Sequence, residues 1–189
     1  PMLVIRRMIE RLYPSVSVRQ ILDGDDALLM RMLVSGDCQL IVLNHPISDK
    51  GLTCVPFMRE SLTLAVPKGH ILERFEALHF SDFNGYNIVL NPDIGFWMDV
   101  CRRHLPASHL LVQRTSDAFG VIAENSDIFY FSTSQSRDYA AKVLRSDARR
   151  TFIPIVDSEA TATYYAVCRI GRSPSLTALM EELGRFGIQ

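Results

Sequence analysis

Two short apolar runs, each stopped by a turn, constrain this chain most. The first is Gly36-Asp37-Cys38-Gln39-Leu40-Ile41-Val42-Leu43, and the second is Leu62-Thr63-Leu64-Ala65-Val66-Pro67-Lys68-Gly69-His70. An apolar run this short, closed by polar or turn-forming residues, reads as a buried strand and not as a helix. Helical and strand-like patterns alternate around both. The chain therefore reads as a helix-covered sheet that passes into a second lobe, and a cleft between lobes is where a small ligand binds.

Met2 to Leu12 sets Leu3, Met8, Ile9 and Leu12 on a helical period, with Arg6, Arg7, Glu10 and Arg11 on the wet side. Tyr13-Pro14 ends it, because the residue before proline is pushed out of the helical region. Ser15 to Leu22 alternates Val16 and Val18 against Ser17 and Arg19 and reads as a strand. Asp25 or Asp26 caps a helix that runs to Val34, buries Leu28, Leu29, Met32 and Leu33, and stops at Gly36. With Gln39 to Leu43 as the next strand, the rhythm predicts a parallel sheet. Leu52 to Met58, which contains Pro56, and Ser61 to Val66 read as two extended pieces, the first at a sheet margin.

The second half continues the alternation. A short helix or turn is expected at Phe80 to Phe83, a strand at Tyr86 to Leu90, and a helix from about Gly95 to His104. His109 to Val112 is extended, and a helix capped by Ser116 runs to Glu124. Asp127 to Phe131 is a strand, and one of Ser132, Thr133 or Ser134 caps a helix to about Leu144. Phe152 to Val156 and Ala162 to Arg169 are strands. Pro174 opens a last helix that buries Leu176, Leu179, Met180, Leu183 and Phe186.

Composition removes several function classes. A formal charge of -1, with 48% hydrophobic and 22% charged residues, offers no concentration of cations to grip a phosphate backbone. Arg145, Arg149 and Arg150 are interrupted by Asp147 and read as a solvated helix end. No apolar run is long enough to span a bilayer, and no secretion signal opens the sequence. Cys38, Cys54, Cys101 and Cys168 are scattered with no CxxC pair, which points to reduced structural thiols and a reducing compartment, although pairing depends on distances a sequence does not give. Ser132 lacks a Gly-x-Ser-x-Gly elbow, His70, His79, His104 and His109 lack metal-ligand spacing, and no phosphate-binding glycine loop is present. The expectation is no enzyme, no cofactor and no metal.

Ligand-binding candidates sit where strands end. Asn91-Pro92-Asp93-Ile94-Gly95-Phe96 follows a strand and opens a helix, whose free N–H groups and positive end favour an anion. Asn91 can donate and Gly95 permits close approach, whereas Asp93 suits an amine or hydroxyl; the same run also reads as an Asx turn capping the helix. Asn44 and His45 end a buried strand, His45 either pairing with an acidic ligand or standing in water. Ser116 caps a helix, touches ligand, or does both. Tyr130 and Ser132 end another strand, on which Phe129 and Phe131 share one face and Tyr130 takes the other. Thr161 offers a hydroxyl near a second crossing, and Trp97, the sole tryptophan, reads as packing.

The succession resembles the effector-binding domain of LysR-type transcriptional regulators. The likeness runs from the helix leading into Leu12-Tyr13-Pro14, through Gly24 and Leu33-x-x-Gly36-Asp37, to Glu60-x-Leu62-x-Leu64-x-Val66-Pro67-x-x-His70. It continues through Asp82-Phe83 to the Ser173-Pro174 helix. The resemblance implies an α/β, two-lobed fold like the type 2 periplasmic binding proteins, with two crossovers and an inter-lobe cleft. Lobe I would be 1–66 plus 161–189, without the family's first strand, and lobe II 67–160. It also implies a cytoplasmic homodimer or tetramer that binds a small metabolite, which the Asn91 to Phe96 turn makes polar and anionic, and that meets DNA only through an N-terminal helix-turn-helix lying outside this sequence. Where the family often has a glycine-rich stretch, this chain carries Ala123-Glu124-Asn125-Ser126-Asp127. The alternative reading is a solute-binding protein of an uptake system.

Overall fold

The computed structural model describes residues 2–21, 25–92, 94–134, 149–171 and 173–186. In chain order the elements are α1 (Met2–Leu12), α2 (Asp26–Ser35), β1 (Leu40–Leu43), β2 (Leu52–Pro67), α3 (Phe80–Phe83), β3 (Asn87–Leu90) and α4 (Trp97–His104). There follow β4 (His109–Val112), α5 (Ser116–Asn125), β5 (Phe129–Thr133), β6 (Arg150–Pro154), β7 (Thr161–Arg169) and a final helix, α6 (Pro174–Phe186). They form two compact units: Pro1–Arg59 with Ala162–Gln189, and Glu60–Thr161. The sequence had set the crossings at 66–67 and 160–161.

In the first unit α1 buries Ile5 and Met8 and turns Arg6, Arg7, Glu10 and Arg11 outward. It packs on α6, where Leu179, Met180 and Leu183 are buried, and the Tyr13 hydroxyl donates to the Ser175 carbonyl at 2.8 Å. Asp25 caps α2, its carboxylate accepting from the Ala27 and Leu28 N–H groups. Gly36 ends that helix at φ 95, a left-handed conformation in which a Cβ would also meet the Arg169 guanidinium at 2.9 Å. Of the four residues expected beneath α2, Leu33 alone is fully buried; Leu28, Leu29 and Met32 are half-covered. Leu33 joins Ile41, Leu43 and Val167 in one apolar cluster flanked by Cys38 and Cys54.

Two expectations fail in this unit. Residues 15–21 form no strand: Val16 donates its N–H to the Tyr13 carbonyl in a turn, and Val16 and Ile21 are exposed. Alternation supplies a face but not a neighbour, and no described strand pairs with this segment. The sheet here is antiparallel, since β1 pairs with the returning β7, Leu40 opposite Cys168 and Leu43 opposite Tyr165. A strand's direction depends on its partner, and this partner comes from the far end of the sequence.

In the second unit β2 lies between β5 and β6, antiparallel to both, while β3 runs parallel to β5 and β4. The links β3–α4–β4 and β4–α5–β5 are the helical crossovers that parallel neighbours require. The two extended pieces expected at Leu52 to Met58 and Ser61 to Val66 are one strand. Arg59-Glu60 continues the strand between them, where Glu60 is only 7% exposed and its carboxylate accepts the Trp97 indole N–H at 3.3 Å. The helix expected from Ser132–Ser134 to Leu144 lies outside the described residues.

Candidate functional site

Register sorts the second unit's side chains onto two faces, because residues directly opposite one another share a face. Thr63 faces Ser132 and Pro154, and Ala65 faces Tyr130 and Phe152. Val89 also faces Tyr130, which brings Asn91, two residues on, to the same side. Phe119 of α5 meets the Tyr130 ring at 5.7 Å and the Ser116 hydroxyl donates to Asn91 Oδ1 at 3.2 Å, so α5 covers this face. The opposite face is apolar: Ile88, Leu62, Leu64, Phe129 and Ile153 are buried, and Phe131 meets Phe83 at 6.0 Å. Phe129 and Phe131 thus lie together and Tyr130 apart, as alternation requires.

The α5-side face is rich in hydroxyls. Ser61 Oγ and Thr161 Oγ1 are 3.0 Å apart, the Ser61 N–H donates to Ser134 Oγ at 3.3 Å, and Thr63 Oγ1 donates to the Ser132 carbonyl at 3.2 Å. Sequence reasoning found Ser132 and Thr161 but missed Ser61, Thr63 and Ser134. The Ser61-x-Thr63 alternation was there to be read, at the start of the strand expected from Ser61 to Val66.

Arg150 also belongs to this face and corrects an expectation. It is 6% exposed, not a solvated helix end; Arg149 is exposed, and Arg145 lies outside the described residues. The Arg150 guanidinium donates to the Ile128 and Ala123 carbonyls, each at 3.0 Å, and to the Ser126 carbonyl, and it sits 4.8 Å from the Tyr130 ring centroid. The last carbonyls of α5 form the negative end of a helix, which stabilises a cation taken out of water.

The turn at Asn91 to Phe96 is partly as expected. Gly95 has φ 58, Phe96 stacks beside Trp97 at 4.4 Å, and α4 starts at Trp97, two residues later than the sequence suggested. Phe96 supplies no side-chain cap. Asp93 lies outside the described residues. Thr115, not Ser116, caps α5, its Oγ1 accepting the Ala118 N–H at 3.2 Å. A capping side chain must precede the helix and reach its second or third amide, and Ser116 is already in the first turn.

Asn44 and His45 stand in the first unit, exposed, just after β1. His45 Nε2 lies 2.8 Å from the Asp26 carboxylate at the start of α2, and this bond raises the imidazole pKa above its ordinary value. Within the second unit, Asn91 and Ser116 touch each other, and Tyr130, Ser132 and Thr161 share the hydroxyl-rich surface.

Comparison with known proteins gives the family. Residues 3–122 match the model of the LysR substrate binding domain. An uncharacterized HTH-type transcriptional regulator, YcgK of Bacillus subtilis (strain 168), is 41% identical over 56 residues, 30% of this chain and 17% of that protein. Among solved structures, the reduced OxyR regulatory domain from Pseudomonas aeruginosa superposes with a TM-score of 0.72 at 11% identity, over 96% of this chain and 89% of that one. The regulatory domain of MetR, a LysR family regulator from N. meningitidis, gives 0.71 at 12% identity, over 98% and 87%. The BenM effector binding domain with its effector benzoate gives 0.67 at 17% identity, over 97% and 84%. With the family model covering well over half of its length, the chain belongs to the LysR substrate binding domain family.

Proposed function

We propose that this domain senses a small, polar, anionic metabolite and that the protein carrying it is a DNA-binding transcriptional regulator. The observation behind the reading is the family match across residues 3–122. The named relatives are regulators or their regulatory domains, which favours regulation over solute uptake and over catalysis. Contact with DNA is assigned to an N-terminal helix-turn-helix in the full protein, and the regulator matched from Bacillus subtilis is named as HTH-type. BenM's effector is benzoate, a carboxylate, which fits the anionic class.

The ligand contacts are drawn from Asn91, Asp93, Gly95, Phe96, Ser116, Tyr130, Ser132 and Thr161 of the second unit. Subunit pairing is assigned to Ser15–Leu33 of one protomer against Asp117–Glu124 of its partner. Val16, Ile21 and Val121 are exposed apolar residues within those segments.

A metabolite library screened by thermal shift against the full-length protein tests the reading. Anionic hits should dominate, and Asn91→Ala should weaken a verified hit by the loss of one charged hydrogen bond, about 1.5–3 kcal/mol, or roughly 10- to 150-fold. Hits that are exclusively cationic or apolar would reject the ligand class. An unchanged affinity in Asn91→Ala would reject the site.

A further inference from the structure

We draw no further inference here: the strongest candidate, the buried ring nitrogen Nε2 of His104 at the end of α4, stacked beside Phe80, has neither a hydrogen-bond partner nor a metal-ligating cluster around it among the described residues, and nothing in the structure shows what would occupy it.

Discussion

At the scale of single residues, His45 and Asp26 make a pH-dependent pair. The 2.8 Å bond to a carboxylate raises the imidazole pKa above 6.5, so the pair's stabilisation is complete below that value and is lost as pH rises through the higher folded-state value. Both side chains are about half exposed, which holds the contribution to at most about 1 kcal/mol. Urea unfolding of wild type and His45→Ala should differ by a few tenths to about 1 kcal/mol at pH 6 and coincide near pH 8.5; a gap that widens toward alkaline pH would contradict the assignment. The cysteines divide in the same physical way. Burial pushes the Cys101 thiol up to about 12, and Cys168 is also raised by burial, whereas Cys38 and Cys54 are partly exposed. Only the thiolate reacts, so iodoacetamide at pH 8 should label Cys38 and Cys54 well before Cys101, as peptide mass spectrometry can show.

At the scale of elements, α5 is fixed at both ends. Ser116 ties its start to Asn91, and Arg150 gathers the carbonyls at its end. Arg150→Ala leaves several buried carbonyls without their donor, at a cost of about 3 kcal/mol or more, and should raise hydrogen exchange over residues 121–125. Arg150→Lys should recover little, because one ammonium does not span acceptors that a planar guanidinium reaches together. The origin of this arrangement shows what a sequence conveys. Helix ends were readable because Asp25, Gly36 and Pro174 act on their immediate neighbours. The hydroxyl face was half readable, since alternation separated Tyr130 from Phe129 and Phe131 but could not say which strand would lie opposite Thr63. Arg150 was misread for the same reason: the carbonyls that hold it come from Ala123, Ser126 and Ile128, more than twenty residues away.

At the scale of the whole molecule, the proposed pairing of protomers should respond to Val121, which is 61% exposed on α5. Val121→Arg should shift sedimentation toward monomer at micromolar concentration without lowering the thermal midpoint of the isolated chain by more than about 0.5 kcal/mol equivalent, the range for an exposed substitution. Wild type sedimenting only as monomer at high micromolar concentration would count against the interface. The route of the chain carries a different consequence. The second unit is one unbroken stretch, Glu60–Thr161, whereas the first draws on two separate stretches, and β7 is the strand that pairs with β1 among the described residues. Contacts so distant in sequence form late, because the intervening loop must close first. The continuous stretch can therefore reach its native pairing while β1 is still without β7. In a refolding experiment followed by pulsed amide labelling, Leu62–Ala65 should gain protection before Leu40–Leu43, so that order along the sequence and order of folding run opposite ways for these two strands.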